Sequence, residues 1–256
     1  MTGGFAINLS GKVALITGGS RGIGRAAAEI LAGAGARVAI NYVRDQAAAD
    51  AAVAAIRAGG GDAFAVAGDV SEPVQAREIV RDVVARWQRL DIVVNNAGIW
   101  EEDVAGAGNL DVWDRTLAIN VRGAFLVTDA ALPHLVKRKG AIVFVSSTAG
   151  QRGEARHSAY ASSKGALISY TKSLAAELGP QGVRVNCVAP GWIATDMTAE
   201  TLADPSARAE IERTIPLGRV GEPRVIAGPI LFLVSDLGRF VQGEVLNVNG
   251  GSLLIG

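Results

Sequence analysis

Cysteine and histidine are nearly absent from this chain: Cys187 is the only thiol, and His134 and His157 are the only imidazoles in 256 residues. A single thiol excludes an internal disulfide, and so few soft ligands exclude a transition-metal cluster, so no metal site is expected. Cys187 itself, inside RVNCVAP, reads as a core residue of a central strand. An excess of either charge is lacking too, with Lys plus Arg and Asp plus Glu at 25 each, so nothing favours nucleic acid or an anionic membrane surface as a partner. No apolar run reaches the ~18 residues of a spanning helix. The opening MTGGFAINLSGK has no basic stretch followed by an apolar one, and so does not read as a secretory leader. Linkers, charge blocks and internal repeats are missing as well. One domain over residues 1–256, working in the cytoplasm, fits these absences.

What the chain does have is alternation. Apolar, β-branched runs at 13–17, 38–42, 63–67, 92–95, 141–146, 183–188 and 245–248 read as strands. Helical patterns lie between them at 25–34, 46–58, 72–87, 112–132, 159–178 and 224–234. Strand and helix in turn give an α/β fold, a doubly wound parallel sheet of seven strands with helices on both faces. Ligands then sit beyond the carboxyl ends of the strands. The first strand runs at once into Gly18-Gly19-Ser20-Arg21-Gly22-Ile23-Gly24 and an Ala-rich helix. Glycines allow a tight turn and close approach of backbone to a pyrophosphate, and the helix start offers free N–H groups and a positive dipole end.

Tyr160 and Lys164 stand four apart on the helical stretch 159–178, hence on one face of it. A cation beside a phenol favours the phenolate, and lowers a pKa of ordinarily ~10 toward the range of a working acid or base.

Together these features resemble the short-chain dehydrogenase/reductase family over nearly the whole chain, from about Leu9 to Gly251. Thr17-Gly18-x-x-x-Gly22-x-Gly24 is that family's cofactor motif, Asn95-Asn96-Ala97-Gly98 its motif after the fourth strand, and Pro190 to Thr195 its PGxxxT segment. Asn120 matches the family's helix asparagine, and Ser147, thirteen residues before Tyr160, its serine. The resemblance implies a single-domain Rossmann fold and interconversion of a ketone and a secondary alcohol by hydride transfer. Ser147 would bond the substrate oxygen and Tyr160 donate the proton. Lys164 would lower the Tyr160 pKa and hold the nicotinamide ribose, and Asn120 would hold a proton-supplying water. It places the cofactor against Gly18, Ser20, Arg21, Ile23, Tyr42, Arg44, Asp69, Val70, Asn96, Ala97, Gly98, Tyr160, Lys164, Pro190, Gly191, Ile193 and Thr195. Substrate would meet Ser147, Tyr160 and Trp192, with a variable wall at about 191–217.

NADP(H) is favoured over NAD(H). At the end of the second strand, where NAD-specific relatives keep an Asp, stands Tyr42, with Arg44 and Arg21 near; Asp45 is the competing candidate for the ribose. In overall pattern the chain is closest to 3-oxoacyl-acyl-carrier-protein reductases, with GEVLNVNGG near its end. Of two basic positions that such enzymes use beside the cleft for the carrier protein, one falls within Lys137-Arg138-Lys139 and the other on the neutral Gln181. A sugar, polyol or small ketone therefore stays open as substrate, as does a member that binds dinucleotide without catalysis. Glu101-Glu102-Asp103 reads as a solvated loop, Trp100 and Trp192 as flanking the cleft, and His157 either as facing the substrate or as an exposed loop residue. A D2 homotetramer is expected, pairing the helices at 112–132 and 159–178, with a second interface through the last helix and strand; Ala161, Ser162, Ser163, Gly165, Ala166 and Ser169 would allow the close approach.

Overall fold

The computed structural model describes residues 7–255. The first half of the opening segment considered above lies outside them. Seven strands form one sheet in the order β3-β2-β1-β4-β5-β6-β7, every neighbouring pair parallel. They are β1 (Val13–Ile16), β2 (Arg37–Tyr42), β3 (Ala63–Ala67), β4 (Ile92–Asn95), β5 (Ala141–Val145), β6 (Arg184–Pro190) and β7 (Val245–Val248). All residues of β1, β4 and β5 are buried, as strands covered on both faces must be.

The period of two divides each strand between two cores. Ala14 and Ile16 of β1 face the layer of α1 (Gly22–Gly33), α2 (Gln46–Ala58) and a late helix at Pro223–Val234. Val13 and Leu15 face α3 (Pro73–Trp87) and the helices at Gly123–Arg138 and Ser158–Leu178. Strand order reverses between β1 and β4, and the helices that follow these two strands, α1 and the helix at Gly123–Arg138, lie on opposite faces, the arrangement that places a ligand crevice at this point.

The pattern read as one helix at 112–132 is three pieces: α4 (Leu110–Leu117), a π turn at Ala118–Arg122 and α5 (Gly123–Arg138). α5 runs on past 132 through Pro133. After β5 come a short α6 (Ala149–Arg152) and the long α7 (Ser158–Leu178). The segment 191–217 folds into two small helices, α8 (Ala199–Ala203) and α9 (Pro205–Arg213), before α10 (Pro223–Val234). Neither α8 nor α9 buries a residue. No helix among the described residues is long and apolar enough to cross a membrane.

Candidate active site

The turn after β1 is laced to the loop after β4. Thr17 Oγ1 accepts the backbone N–H groups of Asn96 and Ala97, each at 3.0 Å, while the Asn96 amide donates back to the carbonyls of Thr17 and Gly18 at 3.0 Å. Asn41, a buried β2 residue, accepts the Gly18 N–H and donates to the Gly68 carbonyl at 2.9 Å. Thr17 and Asn41 thus shape the site, although neither stood among the predicted site residues. Gly18 and Gly22 have φ of +59° and +53°, which disfavours any side chain. A Cβ on Gly24 would lie 2.4 Å from the Gly18 carbonyl oxygen. No side chain caps the start of α1, so its first N–H groups point at the turn without a side-chain partner. A cradle of backbone donors that a single methyl would fill suits a diphosphate, and the residues present fit a dinucleotide.

The other predicted cofactor residues ring this cradle. Ser20, Arg21 and Ile23 lie on the turn or at the start of α1, and Tyr42 ends β2 with Arg44 exposed beyond it. Asp45 caps α2, its carboxylate accepting the Ala48 N–H at 2.9 Å. The Arg21 guanidinium stands 3.2 Å from Asp196 and 3.9 Å from Asp45. The Asp69 carboxylate accepts the Ser71 N–H and hydroxyl at 2.9 and 2.7 Å, and Val70 is buried against Gly123. Pro190 ends β6, Gly191 packs on Asn249, Ile193 is buried, and Thr195 caps the turn Asp196–Thr198 with its methyl toward Gly22.

Ser147, Tyr160, Lys164 and Asn120 come together beyond the carboxyl ends of β4 and β5. Burial pushes the Tyr160 phenol up to about 12, opposed by a hydrogen bond with the Ser147 hydroxyl. Lys164 is 4% exposed and donates to the Val145 carbonyl at 2.8 Å; burial pulls it down to about 8. The expectation that Lys164 lowers the phenol is therefore not met in the chain alone. Its Nζ is turned to Val145, 5.6 Å from the centre of the phenol ring, and desolvation outweighs any attraction. The pair rests as a protonated phenol beside a readily neutralised amine.

Asn120, fully buried, sits in the π turn. Its Oδ1 accepts the Ile99 N–H at 2.8 Å, and its Nδ2 donates to the Ile99 carbonyl and to Ser163 Oγ at 3.0 Å each. Both amide hydrogens are spent on protein partners, so the side chain clamps the loop after β4, and a water held by this residue would rest on an acceptor oxygen. Wide turns of this kind often mark functional positions.

An aromatic wall stands beside these four residues. Trp100 stacks on His157, ring centres 4.4 Å apart and planes 9° from parallel, and meets Trp192 edge-on at 6.0 Å. His157 is thus part of the wall. The run 101–103 lies at the surface, as expected of a solvated loop, yet each acid also has a partner elsewhere in the chain. Glu101 pairs with Arg115, Glu102 with Arg156, and Asp103 accepts from the Ser158 hydroxyl and the Ala159 N–H at the start of α7. The basic residues weighed for carrier docking lie elsewhere. Lys137 to Lys139 precede β5 and Gln181 precedes β6, with the Lys139 side chain against Gly182, at the amino ends of these strands and so at the opposite end of the sheet from this site.

Over residues 18–252 the chain matches a protein-family profile described as Enoyl-(Acyl carrier protein) reductase. The 3-oxoacyl-[acyl-carrier-protein] reductase of Synechocystis is 40% identical over 248 residues, covering 96% of this chain and 98% of that protein. L-rhamnose 1-dehydrogenase (NAD(P)(+)) of Sphingomonas is 41% identical over 245 residues, covering 95% and 96%. A solved structure of blue fluorescent protein from a metagenomic library, in complex with NADPH, has a TM-score of 0.91 at 40% identity and covers 96% of this chain and 100% of that one.

Proposed function

The chain belongs to the short-chain dehydrogenase/reductase family, and from that premise we propose that it is an NADP(H)-dependent enzyme interconverting a ketone and a secondary alcohol. The observation that carries this reading is the meeting of the Ser147 and Tyr160 hydroxyls beside Lys164, next to a glycine cradle shaped for a diphosphate. When bound, the nicotinamide supplies or accepts the hydride. Ser147 orients the substrate oxygen by a hydrogen bond. A phenol held well above neutrality keeps its proton until negative charge grows on that oxygen, and then donates it. Lys164, protonated, stabilises the phenolate left behind and meets the ribose. Asn120 holds the loop that carries Gly98 beside Lys164, and its acceptor oxygens offer a place for the water that restores the proton.

NADP(H) is preferred because β2 ends in the neutral Tyr42 with Arg44 and Arg21 near by, while Asp45, the next carboxylate along the chain, is engaged as a helix cap. The NADPH complex of the metagenomic relative supports the same choice. The remaining residues of the turn and of 190–195, with Asp69 and Val70, complete the cofactor site. The substrate is a small carbonyl or alcohol against Ser147, Tyr160 and Trp192. Carrier-linked 3-oxoacyl groups and sugars are the classes named by the relatives.

A homotetramer in the cytoplasm completes the reading. Its support is an open apolar recess of about 820 Å³ between α4, the π turn, α5 and α7, where Phe125 is 47% exposed. Of the small residues on α7, Ser163 and Gly165 pack inside the subunit, which leaves Ala161, Ser162, Ala166 and Ser169 for a partner. A stable monomer by light scattering at micromolar concentration would refute the assembly.

For the activity, NADPH absorbance is followed with β-keto esters and diketones. Tyr160→Phe is expected to lower turnover by roughly 10²–10⁴-fold with cofactor binding kept. Near-normal turnover by that variant would overturn the reading, and loss of NADPH binding in it would point to a structural role.

A further inference from the structure

The two guanidiniums near the end of β2 are differently engaged. Arg44 is exposed and enters no ion pair among the described residues. Arg21 stands between two carboxylates, its Nη1 3.2 Å from Asp196 Oδ2 and 3.9 Å from Asp45 Oδ2. Arg25, one turn further along, is taken up by Glu29 at 2.8 Å. A dinucleotide phosphate arriving at this turn therefore meets one free guanidinium and one already matched.

The two acids beside Arg21 differ as well. Asp45 has a post of its own, since its Oδ1 accepts the Ala48 N–H as the cap of α2. Asp196 caps nothing, and Arg21 is its ion-pair partner among the described residues. Its place is fixed by the backbone around it. Thr198 Oγ1 accepts the Thr195 N–H at 3.1 Å and donates to the Ile193 carbonyl at 2.7 Å, and the Ala194 N–H donates to the Gly221 carbonyl at 2.8 Å. With the Thr195 methyl against Gly22, this frame brings a carboxylate from the segment after β6 up to the glycine turn.

That carboxylate acts on a 2′-phosphate in two opposed ways. As a prop it holds the guanidinium in place, but the two side chains are 57% and 67% exposed, and a pair so exposed fixes geometry weakly. As a rival it cancels the charge of Arg21 and repels a group that carries nearly two negative charges, whatever the orientation of either. The rivalry is the larger effect.

We propose that Asp196 is a specificity-determining residue for the cofactor: it competes with the 2′-phosphate for Arg21, so that Arg44 carries that phosphate and the preference for NADP(H) over NAD(H) is held narrow. The inference rests on the NADP(H) reading above and adds no chemical step to it, since it acts at the adenosine end of the cofactor.

The test measures calorimetric binding of adenosine 2′,5′-bisphosphate and of AMP, whose difference isolates the 2′-phosphate without turnover. Asp196→Asn is expected to tighten the bisphosphate by roughly fivefold at low salt and to leave AMP within about twofold, the gain shrinking at about 0.5 M salt. The ratio of kcat/KM for NADPH to that for NADH should rise by the same factor. Arg21→Gln should weaken the bisphosphate by about twofold in the wild type but by roughly tenfold in the Asp196→Asn background, the non-additivity of two groups in direct contact. Bisphosphate affinity unmoved or weakened by Asp196→Asn, or an Arg21→Gln loss equal in both backgrounds, would overturn the proposal, while a bisphosphate held tighter than AMP by the wild type keeps the NADP(H) reading. A bisphosphate bound no tighter than AMP by the wild type and by every variant would overturn that reading and this one with it.

Discussion

The turn between β1 and α1 and the aromatic wall across the cleft from it present themselves to ligands by different means. The turn offers backbone N–H groups, held by the side chains of Thr17, Asn41 and Asn96 from behind. The wall offers side chains from three loops, Trp100 after β4, His157 before α7 and Trp192 after β6, held mostly by one another and by surface ion pairs. A backbone site tolerates almost no change, because its geometry depends on atoms that cannot be exchanged. A side-chain site can be rebuilt one residue at a time, so reaction type stays constant while substrate varies.

The sharpest way to break this contrast is Gly24→Ala. The new methyl would lie 2.4 Å from the Gly18 carbonyl oxygen and 2.5 Å from Asn96 Nδ2, neither of which has room to yield. Overpacking of about 3 kcal/mol should lower Tm by about 6–12 °C and NADPH affinity by roughly 10²-fold, measured by melting and by NADPH fluorescence. Trp100→Leu should leave that affinity within about threefold, and an equal loss in both variants would erase the distinction.

Asn120→Leu strikes the joint between the two regions. It leaves the Ile99 N–H and carbonyl without their partner, which should cost about 2–4 kcal/mol in urea unfolding. Asn120→Asp keeps the acceptor for the Ile99 N–H but sets a buried carboxylate against the Ile99 carbonyl, and should cost at least as much at neutral pH.

Lys164→Met tests the cost of a buried amine. The folded chain holds Lys164 at about 8, below its ordinary 10.5, so between these values the unfolded chain binds the extra proton and stability rises with pH. The wild type should therefore gain on Lys164→Met by about 2 kcal/mol between pH 8 and 9.5, seen as a narrowing or reversal of their Tm difference. A constant difference across that range would mean that the amine is not desolvated.

The smallest effect belongs to the wall's outer ties. Glu102 and Arg156 are both largely exposed, so Glu102→Gln should move Tm by about a degree at most, with less effect still at high salt.

How legible each region was in the sequence follows from the same contrast. A backbone cradle demands glycine at fixed spacing, so Gly18, Gly22 and Gly24 announce it, and parallel strands buried on both faces appear as apolar runs whose ends were located within two residues. Tyr160 and Lys164 were legible because helical spacing alone puts them on one face. The effect of the amine on the phenol was not, since its sign depends on burial and on the Val145 carbonyl. The π turn was hidden because Ala118 to Arg122 is ordinary helical sequence, and the bonds of Asn120 to Ile99 and Ser163 accompany it only in the folded chain. The acids at 101–103 find partners 14 to 56 residues away, which no local pattern encodes. For α9 a signal was present: Asp204 caps it and Pro205 opens it, the usual start of a helix, but no buried stripe follows to confirm it.

The grip of Asn120 on Ile99 has a consequence in time. The Ile99 amide hydrogen can exchange with deuterium only when the loop after β4 parts from the π turn, and the same parting would carry Gly98 away from Lys164. Deuterium uptake at this one amide is thus a clock for how often the reaction centre comes apart in the resting protein.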